Sequence, residues 1–564
     1  MLLVRKFDSG RAIAAISERS ALHFSCGERD KAILMLMNGL EAMEDVVGER
    51  DPSTLTCMAN LSATLANMGA WKAAEVLGVK VLAMRQEVLG EGHPHALLSL
   101  VNLAAIYQKL ARYQEAERLQ SQALCKMKVS LGEDDPRTLA CMASLALTHR
   151  YRGQYGEAEN LAKQVFDIRK RMLHEEHPDL LASMSDLARI FADQNRFEEA
   201  AELAARTMRM RRKALGNKHP DTLGATTDLA AIYICQGKWK QAEQIASPIV
   251  FMMQEVLGAE HTHTLSTIAN LAVALGNQGR HGEAEKLELQ LVNTRKQVSG
   301  EEHPNTLTCI ANLASTYRSQ GRYVEAEQLE LQVIRAREKV LGEEHPDTLV
   351  SRASLAHTYD LQGRYKEARQ CGESVVETMR RVLGEEHPDT LCSLGTLAST
   401  YHHEQRHGEA ETLEVQVMEA NIKQLGADHP QTLTSMGNLA LSYQRADKFE
   451  DAMKLVKDVL GNANRVLGWK HPSSLNWMAN LATGFADAGS FGEAEELGKQ
   501  VLDARIEVLG ENHPDTIVST CNLAMVYNSQ ARREEAANLM AEAIERGSSQ
   551  LGRDHPSTLI NVYN

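Results

Sequence analysis

Apolar and polar positions along the chain recur with a period of 42 residues. Twelve of the thirteen prolines, from Pro52 to Pro556, lie on one phase of that period; Thr262 fills the only gap and Pro248 is the only stray. Counted from the phased proline, offset +9 is leucine in every repeat (Leu61, Leu313, Leu523), and +22 is alanine in every repeat (Ala74, Ala326, Ala536). Offset +10 is alanine with the single exception of Ser62. Apolar residues at +3, +6, +9, +10 and +13 follow helical spacing and predict a first helix from the proline to about +15. Those at +25, +29, +30, +36 and +37 predict a second helix from about +20 to +37. Glycine at +17, as in Gly153, Gly321 and Gly363, breaks the chain between them, because it takes positive φ without steric cost. Alanines at +10 and +22 let the two helices approach closely. No strand-period alternation competes, so the pattern predicts an all-α solenoid in which one hairpin is repeated without insertion or deletion.

The stretch Gly342–Leu349 reads GEEHPDTL, and GEEHPDTL returns at Gly384–Leu391. A histidine precedes almost every phased proline, as at His93, His345 and His513, whereas Asp51 and Asp135 hold the place in two copies. Aspartate is a strong N-cap, and proline suits the first helical position, where its missing N–H is not needed. The histidine is therefore expected to accept a backbone N–H or fill the turn. A metal ladder is excluded by distance: helices pack about 8–10 Å apart, whereas zinc ligands lie about 2 Å from their ion.

Composition narrows the function. The chain is 43% hydrophobic and 24% charged, with no apolar run near the ~18 residues of a membrane span. Arg5, Lys6 and Asp8 interrupt the place where a signal peptide would have its apolar segment. The nine cysteines are scattered without a CxxC pair, which favours reduced thiols and a cytoplasmic location. A net charge of −14 argues against nucleic acid as a partner. No phosphate loop, dinucleotide fingerprint or nucleophile elbow is present, so neither an enzyme nor a cofactor is expected. The run Tyr401–Glu411 holds His402, His403 and His407 about a turn that should scatter them, leaving no metal site. Arginines at +33 (Arg85, Arg169, Arg295, Arg337, Arg505), together with the basic run Arg206–Lys213, are expected as solvated helix ends.

The Leu-Ala-x-x-Tyr and Gly-x-Tyr-x-x-Ala steps, as in Ala311–Glu327, resemble the tetratricopeptide repeat. The 42-residue length is similar to the repeats of kinesin light chains and to the arrays that end fungal NACHT or NB-ARC receptor proteins. The resemblance implies a right-handed superhelical solenoid of about thirteen hairpins. A degenerate N-terminal capping repeat is expected over 1–51, twelve hairpins over 52–555, and the start of a further helix over 556–564. An end so soon after Pro556 is an odd stop for a capped solenoid and suggests a longer natural product.

The resemblance also implies a concave face that binds a peptide or partner protein, lined by the first helices at +4, +8, +11 and +15. Asparagine stands at +8 in Asn60, Asn102, Asn270, Asn312, Asn438, Asn480 and Asn522, where an amide can pair with a peptide backbone. The alternative is that these amides bridge neighbouring repeats. Lys109, Arg150 and Arg189 fall in three successive repeats and are expected to form a basic spot on the same face. The competing readings are a self-assembling array stacking through its repeat ends and the ligand-sensing part of a larger receptor.

Overall fold

The computed structural model describes residues 29–550 except 68, 195, 447, 467 and 488, so the expectations for residues 1–28 and 551–564 lie outside the described residues. Those described residues form helices and no strand: one helix over Arg29–Val47, then twelve helical hairpins from Pro52–Asn67 with Trp71–Leu89 to Pro514–Ser529 with Arg533–Gln550. First helices run from the proline to +15 as the periodicity predicts, and second helices open at +19 on the aromatic position. The chain divides into two compact units. One holds the described residues up to Ile190 with Thr294–Leu307 and Ala336–His345; the other holds Phe191–Asn293, Thr308–Arg335 and the described residues from Pro346 on.

Local chemistry explains each boundary. The ring Nδ1 of His93, His177, His219, His261, His303, His387, His429, His471 and His513 accepts the backbone N–H two residues on, at 3.1–3.2 Å. Asp51 and Asp135 do the same through a carboxylate oxygen at 2.8 Å. The threonine of HPDTL closes the other side of the turn: Thr264, Thr390 and Thr516 donate to the carbonyls of Gly258, Gly384 and Gly510 at 2.8–2.9 Å. Between the two helices of a hairpin the chain takes positive φ at +17. Glycine usually supplies it, but Ala111, Gln405 and Ala531 adopt φ of 54°, 63° and 62°.

The core is built from the invariant positions. Leu313 and Ala314 are 3% and 0% exposed, and Ala326 is 0% exposed. Where serine replaces alanine at +10, the buried Ser62 hydroxyl donates to the Ala74 carbonyl at 2.8 Å, which satisfies it. Because the crossing leaves no room at +22, Ala326→Leu should overpack it and lower stability by about 1–3 kcal/mol, measurable by denaturant titration.

The arginines at +33 correct the expectation of solvated helix ends. Arg85, Arg295, Arg337 and Arg505 are 3–6% exposed. Arg85 donates to the His95 carbonyl and to Ser99 Oγ of the next first helix, and to Thr56 of its own hairpin. Arg169 and Arg505 repeat the contact with Ser183 and Ser519, and Arg211 of the basic run reaches the Asp221 carbonyl at 3.1 Å. Arg85, Arg169, Arg211 and Arg505 each tie one hairpin to the next. The dipole argument is right about the helix end and wrong about the solvent, because the following hairpin covers it.

Each unit also contains a contact between residues 236 apart in sequence. In the first unit, His345 Nε2 lies 3.3 Å from the Lys109 carbonyl, and its ring stacks on Trp71. In the second, four repeats further on, His513 Nε2 lies 3.2 Å from the Asn277 carbonyl and stacks on Trp239. Since His513 Nδ1 accepts the Asp515 N–H, the neutral ring carries its proton on Nε2 and donates it to that carbonyl. Gly279 completes the fit: a Cβ there would stand 2.7 Å from Pro514 Cδ, and its φ of +74° favours glycine in any case. A cap histidine thus has a second ring nitrogen with which to join distant segments, which no local reading of HPDTL reveals.

Candidate functional site

Successive first helices lie side by side, and their line of contact opens into cavities backed by the second helix. Ala59, Ala63, Asn102, Leu103 and Lys109 line one of about 180 Å³. Ser144, Arg150, Ser183, Asp186 and Arg189 line another of about 250 Å³. Thr483, Asp487, Asn522 and Ser529 line a third of about 240 Å³. Asn480 borders a smaller one with Gly437 and Gly484.

A position that the sequence analysis passed over helps set the character of each opening. At +26, on the second helix behind the groove, Gly78, Ala162 and Gly498 leave the three larger cavities. At Gln120, Glu330 and Glu414 the same position is polar, and a network fills the space. Thr148 of the next hairpin donates to Gln120 at 2.6 Å, and Gln108 at +14 of its own hairpin donates to Thr148 at 2.6 Å. Glu330 accepts from Thr358 at 2.7 Å and from Arg318, again at +14, at 2.5 Å. Glu414 accepts from Ser442, and His402 at +14 bonds the same hydroxyl. Glu330 is 3% exposed, and its burial raises its pKa, while Thr358 and Arg318 pull it down. The signal was present in the sequence: each Gln or Glu at +26 (Gln120, Glu288, Glu330, Glu414) is followed by Thr or Ser at +12 of the next repeat.

The predicted site residues fall into three sets. Asn60, Asn270, Asn312, Asn480 and Asn522 are half-buried on the first helices, and Asn102 and Asn438 are exposed. Apart from Asn60, none of these amides hydrogen-bonds a neighbouring repeat among the described residues. Arg150 and Arg189 do meet in one cavity, where Arg189 lies 3.5 Å from Asp186. Lys109 borders a different opening, so the expected three-residue basic spot is a pair and a separate lysine.

The histidine run needs correction as well. His402 is 5% exposed, and its Nδ1 lies 3.2 Å from His407 Nδ1, so the turn gathers these two rings instead of scattering them. His403 turns to Asp360 of the preceding hairpin at 3.0 Å. No group of three metal-ligating side chains occurs among the described residues, nor is any described helix long and apolar enough to cross a membrane.

Two family profiles, both described as Tetratricopeptide repeat, match the chain. One covers residues 95–171, 331–380, 361–421, 389–465 and 473–549; the other covers 54–95, 180–221, 264–305 and 306–347. The chain belongs to the tetratricopeptide-repeat family. Among solved structures it is similar to the kinesin light chain nearly identical TPR-like repeats of Podosopora anserina, at 32% identity over 36% of this chain and 97% of that one, with a TM-score of 0.31. A substituted form of that protein matches at 31% identity over the same shares, with a TM-score of 0.32. BtubC (BKLC) from P. vanneervenii matches at 16% identity over 44% of this chain and 92% of that one, with a TM-score of 0.31. No curated protein is similar enough to match it.

Proposed function

We propose that the chain is a protein-interaction scaffold that holds a peptide or partner segment along the groove face of its first helices, and that it carries no catalytic activity. The observation that carries this reading is the asparagine series at +8. Asn102, Asn480 and Asn522 border cavities between first helices, and their amides make no hydrogen bond to the protein among the described residues. An amide that is neither bridging repeats nor satisfied by its own helix can give and take hydrogen bonds from a peptide backbone whatever its side chains. Specificity then falls to the variable residues that share the openings. Arg150, Asp186 and Arg189 share one opening and mark a charged point along the groove.

Asn270→Ala combined with Asn312→Ala tests the reading. Partners are first captured by crosslinking and pull-down, and the affinity of the captured partner is then measured by calorimetry. The double variant is expected to lose about 1–3 kcal/mol of binding through peptide groups left unpaired, with little change in melting temperature. Leu313→Ala is the control: it should cost about 2–5 kcal/mol of stability as a buried cavity and reduce binding only through unfolding. A double variant that melts early and binds normally when cold would return the asparagines to the scaffold.

A further inference from the structure

One repeat has the buried carboxylate of the +26 network without the +14 side chain that belongs to it. Glu288 stands at +26, like Glu330 and Glu414, and is 4% exposed. Thr316 faces it from the next hairpin, as Thr358 faces Glu330. At +14, where Arg318 and His402 serve the other two carboxylates, this repeat has Gly276. Glu288 Oε2 is buried with no hydrogen-bond partner. A side chain could begin there without a clash: a Cβ built on Gly276 would meet only the Ala284 Cβ, at 3.9 Å. The flanking first helices are those that carry Asn270 and Asn312.

We propose that Glu288 is a receptor for the guanidinium of an arginine side chain supplied by a bound partner, which enters over Gly276 and takes the place that Arg318 occupies in the following repeat. The cost of desolvating this carboxylate is already met by folding, so an incoming cation finds a charge partner that water does not screen. Arginine fits better than lysine because its planar fork can engage a carboxylate and a neighbouring hydroxyl together, as Arg318 reaches both Glu330 and Thr358. The remaining charges nearby are already committed: Glu285, on the same helix, is paired with Arg322 at 2.9 Å, and Arg318 is paired with Glu330. Burial raises the Glu288 pKa to about 7, with Glu285 adding to the rise and Thr316 opposing it. A bound cation stabilises only the ionised form, so binding should strengthen as pH rises through about 7 and level off above it.

The inference rests on the groove reading for the identity of the natural partner, but it can be tested without one. The probe is Nα-acetyl-arginine amide, titrated into the full chain by ligand-observed NMR, with the citrulline analogue as the neutral isostere and the lysine analogue as a point charge. Saturable binding of the arginine probe is expected, weaker binding of the lysine probe, and none of the citrulline probe. Glu288→Gln should weaken the arginine probe by roughly tenfold or more while melting no earlier, since it removes a buried charge. Gly276→Arg should occupy the slot from within, abolish probe binding and raise the melting temperature. No saturable binding to the unaltered chain, or equal binding to Glu288→Gln, would overturn the proposal. If the probe binds through Glu288 while the asparagine pair leaves partner affinity untouched, the groove reading fails and this site stands; the opposite pattern removes this site alone.

Discussion

Acidification from pH 6.5 to 4 is expected to cost the fold on the order of 3 kcal/mol for each of the cap histidines His429 and His471, well before its carboxylate pairs are lost. Burial depresses the pKa of His429 and of His471 to about 4, against an ordinary value near 6.5. The sign follows from where the proton goes. Below about pH 6.5 the unfolded chain takes up a proton at each of these rings, whereas the folded chain does not until about pH 4. The stability they contribute is therefore complete above about 6.5 and falls away as pH drops through that window. Protonation also places a hydrogen on Nδ1, the atom that accepts the helix N–H of Gln431 and of Ser473. Carboxylates such as Glu495, held at about 2 by Lys499 and Arg532, give way only at lower pH. Denaturant titrations at a series of pH values should show the loss. His429→Asn with His471→Asn should flatten it, since asparagine caps helices without titrating. A pH profile unaltered by the buried pair of substitutions would contradict the assignment.

Deleting the whole period 304–345 should leave a soluble, cooperatively melting helical protein, whereas deleting only 304–324 should abolish cooperative melting. Each hairpin is held by its neighbours, so stability is close to a sum of local and interface terms. Removal of the full period joins His303 to Pro346 and restores the sequence HPDTL at the junction. The cap, the +2 hydroxyl and the bond from the +33 arginine to the following first helix then all find partners of the same kind. Removal of the half joins His303 to Glu325, which takes away one first helix with Leu313 and leaves the Ala326 face without its match. The interface lost contains side chains worth about 2–5 kcal/mol each when truncated to alanine, which is comparable with the whole margin of a domain. Circular dichroism melts and size-exclusion chromatography of the two deletions decide the matter. Equal tolerance of both would mean that the period is misread.

The sequence by itself determined the hairpin, its ends and its core. These are decided within a few residues of one another: a cap and the N–H two positions on, a glycine at +17, a leucine and an alanine one helical face apart. Such contacts repeat whenever the local residues repeat, so periodicity exposes them. The candidate groove was legible to the same extent, since +8 and +15 share a helical face in any helix. What tertiary structure decided is which polar groups are buried and by whom. Arg85 and Arg505 look like solvated helix ends until the next hairpin covers them. His402 and His407 look scattered until the turn between their helices is closed. The role of +26 depends on three positions from two hairpins, and Glu288 is distinctive only because Gly276, twelve residues earlier, fails to supply what Arg318 supplies to Glu330. The contacts of His345 and His513 with segments 236 residues away have no local signature at all, because they follow from how small rotations between hairpins accumulate. Burial makes each of these groups consequential: a charge or ring nitrogen in water costs little to leave alone, whereas the same group under a neighbouring helix must find a partner.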